Sequence, residues 1–202
     1  KKGGLQQLFS GQLRFKDENG KDYPDWEEKR IGDLTNVNTG GTPRTMKQEY
    51  WGGNIRWMNS GELNLKVVFE VKNRITKEGL KNSATKLIPK KCILIGLAGQ
   101  GKTRGTAAIN MVELCTNQSI ASILPNYDRF IPEYLFQNID QRYSELRGLS
   151  TGDGGRGGLN LQIIKSFKVP LPSVKEQQKI ARYLSGIDTK IEAVNHQITQ
   201  TQ

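Results

Sequence analysis

The 202-residue sequence is poor in the groups on which small catalytic and metal-holding sites are built. It has one histidine, His196, and two cysteines, Cys92 and Cys115, spaced too far apart for a CxxC pair. That excludes a disulfide framework and a Cys/His zinc site, and it suits a reducing cytoplasm. No apolar run approaches the length of a membrane span, and no secretory signal opens the chain. The chain begins Lys1-Lys2-Gly3-Gly4 without a methionine, so it is expected to be a piece of a longer protein. Aromatics are only 7 % of residues and hydrophobic residues 35 %, polar for a globular protein but above a disordered composition.

Positive charge is abundant. The formal net charge is +10 and is unevenly spread. Residues 1–33 balance seven bases against seven acids, whereas residues 66–104 hold ten bases (Lys66, Lys72, Arg74, Lys77, Lys81, Lys86, Lys90, Lys91, Lys102 and Arg104) against Glu70 and Glu78. Such an asymmetry suits a polyanion, because each neutralised phosphate releases counterions. A solvated surface tuned for solubility is the plainer alternative.

Glycine and apolar patterning divide the chain into three. Residues 1–30 read as the end of a helix stopped at Gly11, then a polar linker with turns at Asn19-Gly20 and Tyr23-Pro24. Residues 31–172 read as a globular α/β region with glycine-dense turns. Strands are predicted at Lys66–Val71, Cys92–Leu97, Ala107–Met111 and Ser119–Leu124, and helices from Pro132 to Gly148 and over Leu159–Phe167. Residues 173–202 open on a capping-box pattern, Ser173-Val174-Lys175-Glu176. Ile180, Leu184, Ile187, Ile191, Val194 and Ile198 then recur at heptad steps, a narrow seam that predicts a coiled-coil helix pairing with a partner. His196 falls off that seam and reads as solvated, which leaves a Ser–His–Asp arrangement without a plausible base.

Two motifs invite an enzymatic reading. Gly96 to Thr103 satisfies GxxxxGK[ST], the phosphate-loop pattern. In a working loop Lys102 and Thr103 would open a helix. Gly105 disfavours that, and Thr106–Met111 reads as strand, so a basic hairpin competes with the NTPase reading. Glu70-Val71-Lys72 resembles half of a nuclease metal site, with Glu62 the nearest second carboxylate; a polar strand face is the simpler explanation. No methyltransferase signature is present.

Several segments in order resemble one family. Leu8-Phe9-Ser10-Gly11-Gln12-Leu13-Arg14-Phe15 and Tyr23-Pro24-Asp25-Trp26-Glu27 are similar to the junction after the central conserved helix of type I restriction-modification specificity subunits. Gly40-Gly41-Thr42-Pro43, Tyr50 to Trp57 and Ser60-Gly61-Glu62-Leu63 resemble the opening of the target recognition domain. Ile93–Gly105, Asn117-Gln118-Ser119-Ile120 and Gly157-Gly158-Leu159-Asn160 continue it, and Val169-Pro170-Leu171-Pro172 with Glu176-Gln177 and Ile187-Asp188 resembles the second conserved region. The resemblance implies half a subunit: an α/β recognition domain with a twisted mixed sheet plus a long C-terminal coiled-coil helix. It implies a non-catalytic, cytoplasmic protein that reads one half of a bipartite duplex. The conserved helix would dock methyltransferase subunits and, through the complex, restriction subunits. As a half-subunit the chain would form a homodimer. S-adenosylmethionine, ATP and magnesium would belong to partner subunits, with no cofactor of its own. Arg44, Ser60, Lys102, Arg104, Gln118 and Arg156 are the candidate DNA contacts, since they lie in glycine-flanked loops where backbone approaches DNA closely. Arg147 and Arg182, on predicted helices, serve as controls. The rival readings are a nucleotide-binding NTPase and a coiled-coil adaptor with non-specific DNA binding.

Overall fold

The computed structural model describes residues 7–9, 11–99, 101–150 and 158–200; of residue 188 and residues 191–200 it describes the backbone alone. The chain divides into two units, residues 28–169 and a second made of the N-terminal segment with residues 170–202.

The larger unit is built on short strands dense in Ile, Leu, Val and Ala, buried on both faces as near-continuous apolar runs must be. One mixed sheet has five strands in the order β2 (Val37–Thr39), β10 (Ile120–Ile123), β7 (Ile93–Gly96), β8 (Ala107–Asn110) and β4 (Val67–Val68). Its pairs are antiparallel except β4 with β8. A second sheet has the order β5 (Asn73–Ile75), β3 (Trp51–Met58), β9 (Leu114–Thr116) and β6 (Leu87–Ile88), with β3 parallel to β9. Strand alternation sends Leu94, Ala108 and Ile120 into a core shared with Met58, Leu63, Val68, Ile88 and Leu114. Ile93 and Ile95, of opposite parity, are also fully buried. A helix, α3 (Pro132–Gln141), packs on β7 and β8. Two ion pairs hold it: Lys66 Nζ lies 2.5 Å from Asp140, and Lys91 pairs with Glu133. Two short helices precede it, α1 (Ile31–Leu34) and α2 (Lys77–Lys81). A ribbon of β1 (Glu27–Arg30) with β11 (Lys168–Leu171) completes the strands.

Three elements depart from the sequence-based expectation. The helix predicted from Pro132 to Gly148 is two, α3 and α4 (Tyr143–Gly148), broken at Arg142. Arg142 leaves helical geometry to clamp Glu145, donate 2.7 Å to the Lys168 carbonyl and stack 4.2 Å over the Phe167 ring. Its guanidinium holds the Glu145 carboxyl below the usual range. The strand predicted over Lys66–Val71 shrinks to Val67–Val68: Lys66, at φ +62°, turns the chain before it, and after it the Val71 N–H is taken by the Glu70 side chain. Glu70 and Lys72 therefore share no strand face. The third departure is the Leu159–Phe167 helix, shortened to α5 (Leu161–Ser166) because the Asn160 side chain caps it through Ile163 N–H.

In the smaller unit, α6 (Val174–Gln200) follows Ser173, whose hydroxyl accepts the Glu176 N–H at 3.3 Å. Glu176 is fully buried. Its carboxylate accepts from Arg14 Nε at 3.2 Å and Nη2 at 3.0 Å, and from Trp26 Nε1 at 3.0 Å. Arg14 also donates to the Tyr23 and Pro24 carbonyls, and Glu176 raises its pKa further. The expected turn at Asn19-Gly20 is present, closed by Asp17 Oδ1 accepting from Asn19 and Lys21. Phe15 meets Tyr183 edge to face at 5.5 Å. Of the heptad seam, Ile180 and Leu184 are already buried in the chain itself and Ile187 is half-buried. These two positions are thus not open to a partner, which shortens the expected free seam. The side chains of Ile191, Val194, His196 and Ile198 lie outside the described residues.

Candidate nucleic-acid interface

Strand direction alone brings four loops to one end of the two sheets. In the first sheet Thr39 pairs with Ala121, Ile120 with Gly96, and Ile95 with Ala107. The exit of β2, the entry of β10, the exit of β7 and the entry of β8 therefore coincide. In the second sheet Met58 pairs in parallel with Thr116, so β3 and β9 both exit there, and residues 117–119 join β9 to β10. Hydrogen bonds knit the loop roots. Gly41 N–H donates to the Thr116 carbonyl at 2.9 Å, Asn117 N–H to Met58 at 3.0 Å, Leu97 N–H to Ser119 at 2.8 Å and Leu159 N–H to Leu97 at 2.8 Å. Gly40 permits this approach, since a Cβ there would fall on the Thr116 carbonyl.

The first loop runs from Gly40 to Lys47. Trp57 Nε1 donates 3.0 Å to the Gly41 carbonyl from a buried position, and the Thr42 hydroxyl lies 2.7 Å from Gln118 Oε1. Arg44 is exposed, and its carbonyl accepts Lys47 N–H at 3.1 Å, which closes a turn. Gln118 is exposed across that Thr42 bond. Ser60, half-buried, begins a 3-10 turn over Ser60–Leu65 that Asn59 and Glu62 cap reciprocally. Lys102 is exposed on the β7–β8 loop. Arg44, Ser60, Lys102 and Gln118 thus belong to loops of one end.

Two of the candidates stand differently. Arg104 is only 7 % exposed, and its carbonyl accepts from Arg147 Nη1 at 3.1 Å. The tight β7–β8 turn folds this arginine back onto the protein, so it does not present a fork to solvent as its sequence position suggested. Arg156 lies outside the described residues; the segment that follows it is anchored at Leu159. Arg147, a control, lies on α4 as expected, where it packs on Gly105 and donates to the Arg104 carbonyl. Arg182 is exposed.

The enzymatic motifs resolve into structure. Gly96 to Thr103 is the turn of an antiparallel hairpin, and Lys102 and Thr103 lead into β8 rather than a helix. Among the described residues of this turn, the row of helix N-terminal amides that gives the phosphate-loop pattern its chemistry is not formed. Glu62 spends its carboxylate on the backbone N–H groups of Asn59 and Lys72. Glu70 accepts from Val71 N–H, Arg56 and Arg74, which together hold its pKa at about 2, the backbone bond contributing most. Burial pushes the thiols of Cys92 up to about 12 and Cys115 up to about 11, leaving both inert as nucleophiles at neutral pH. Sequence reasoning missed Thr42, which ties two loops, and the Trp57 strut. Neither carries a local signal, because the bonded residues are 76 and 16 positions apart in the chain.

A family model for the type I restriction modification DNA specificity domain matches residues 23–201. The chain belongs to that family. It is 33 % identical over 193 residues to the MjaIX specificity subunit of Methanocaldococcus jannaschii, covering 91 % of this chain and 43 % of that protein. It is 30 % identical over 167 residues to the EcoR124I/EcoR124II specificity subunit of Escherichia coli, covering 81 % and 41 %. The chain therefore spans less than half the length of these relatives. Among solved structures, the HsdS subunit from Thermoanaerobacter tengcongensis shares the fold with a TM-score of 0.66 at 17 % identity, over 96 % of this chain and 46 % of that one. A chain from a structural study of type I R-M complex assembly matches with a TM-score of 0.70 at 16 % identity, over 99 % and 48 %. The family resemblance read from the ordered segments is thereby established, and with it a mixed α/β architecture. Among the described residues no helix is long and apolar enough to cross a membrane.

Proposed function

We propose that this specificity domain binds duplex DNA sequence-specifically, reading one half of a bipartite target through the loop cluster at the common end of its two sheets. The observation that carries the reading is the convergence of the Arg44, Ser60, Lys102 and Gln118 loops on roots held by backbone bonds. A rigid platform with exposed cations and amides is what phosphate positioning and base-edge reading require. Lys102 then holds phosphate, while Arg44 and Gln118 reach base edges. The domain itself is non-catalytic. Its partners are methyltransferase subunits and, through the complex, restriction subunits, which bring S-adenosylmethionine, ATP and magnesium, and it works in the cytoplasm. The C-terminal helix acts as a long coiled coil, and as a half-subunit the chain pairs with a second copy through the part of the seam beyond Leu184. Selection from a random duplex pool tests the reading. The expected result is a short consensus of a few base pairs; enrichment without any consensus contradicts it.

A further inference from the structure

Met46 is 92 % exposed, the most exposed large hydrophobic side chain of the described residues. It stands in the Arg44–Lys47 turn, flanked in the chain by the exposed Arg44, Thr45, Lys47 and Gln48. The turn beneath it is firmly built. Lys47 N–H donates to Arg44 and Tyr50 N–H to Lys47, at 3.1 and 3.0 Å. Thr76 ties the following residues through its N–H to the Tyr50 carbonyl at 2.9 Å and its hydroxyl to the Glu49 carbonyl at 2.8 Å. Behind the loop, Trp51 packs edge to face on Trp57 at 5.1 Å, and the Thr42–Gln118 bond fixes its root. A folded chain gains from burying such a side chain, yet this scaffold holds it in water between Arg44 and Lys47, on a loop whose root is bonded to Gln118.

The chemistry of a duplex narrows what such a group meets. Phosphates offer it nothing apolar, and the sugar C–H groups are the same in every nucleotide and carry no sequence information. The apolar group by which an undistorted duplex distinguishes one base pair from another is the 5-methyl of thymine, in the major groove. Insertion between base pairs would carry an added unstacking cost. Methionine is unbranched and reaches far from its backbone, while Arg44 and Thr45 on the same turn can satisfy neighbouring polar edges. We propose that Met46 is a specificity-determining residue that reads the 5-methyl group of one thymine in the target. This rests on the DNA-reading function proposed above and adds the chemical feature that one loop recognises.

The test uses the full 202-residue chain and its selected duplex. Each thymine is replaced in turn by deoxyuridine, which removes one methyl and leaves the pairing unchanged. Affinities are measured at fixed salt, because they depend steeply on it. Wild-type protein is expected to lose about fourfold at one position, the worth of one buried methyl-sized group. Met46→Ala is expected to bind the thymine and uracil duplexes equally there, with its other base preferences kept, and Met46→Leu to retain the discrimination. A wild type indifferent to every methyl overturns the proposal while leaving sequence-specific binding intact. So does a methyl effect that survives Met46→Ala. A rise in 2-aminopurine fluorescence beside the site with wild type but not with Met46→Ala replaces methyl reading with insertion. A pool that yields no consensus overturns this proposal together with the function on which it rests.

Discussion

The two units of the chain are stabilised by opposite means. The sheets of residues 28–169 close on an apolar core in which Leu94, Ile120, Met58 and Leu63 are fully buried. The unit formed by the N-terminal segment with α6 has a charged centre, the buried Glu176 carboxylate held by Arg14 and Trp26. An apolar core tolerates small losses by relaxing, whereas a buried carboxylate has no substitute for a lost donor. The first unit is therefore expected to fail by cavities and the second by broken pairing.

Substitutions that respect this division sharpen it, and those that blur it would break it. Leu94→Ala is expected to cost the sheet unit about 2–5 kcal/mol, measured by urea unfolding. Arg14→Ala leaves Glu176 with one of its two partner side chains. It is expected to cost about 2 kcal/mol, because Arg14 is itself partly exposed and solvent takes over some of its role. Amide exchange should then accelerate in the first turns of α6 and stay unchanged in β7 and β10. Equal acceleration in both places would mean that the two centres are not independent.

A smaller effect belongs to the exposed Glu70 cluster. Its carboxyl is pulled from 4.5 to about 2, so the folded state favours the charged form. The resulting stabilisation is complete above about pH 4.5 and is lost as pH falls toward 2. Glu70→Gln is expected to flatten the acid limb of the stability curve in that window and to lower stability at neutral pH by the same small amount, the two proteins converging near pH 2, since solvent screens exposed pairs. A carboxyl carbon that titrates near 4.5 by NMR would contradict the assignment.

The same division explains what could be read from the sequence. Ile93–Gly96, Ala107–Asn110 and Ile120–Ile123 were legible because short apolar runs bounded by polar, glycine or proline residues are local signals. The break at Arg142 was not, since it depends on the Phe167 ring and the Lys168 carbonyl, about 25 residues on. Nor was the role of Glu176. Its position suggested only a helix cap, while its donors lie 162 and 150 residues away. Nearby glycines marked Arg44, Ser60 and Lys102 as loop residues, but it is strand pairing that brings their loops and that of Gln118 to one end. Spacing could not show that a turn folds Arg104 inward, because that depends on Arg147 in another element.

The central claim is that one end of the sheets meets DNA and the other does not. Lys102 lies on the loop after β7, and Lys90, also exposed, lies in the turn before it, at the opposite end. Affinity for the selected duplex, measured across a salt series, separates them. Lys102→Ala is expected to weaken binding and lower the salt slope by about one, while Lys90→Ala changes neither. Equal losses from both variants, or a loss confined to Lys90→Ala, would contradict the account.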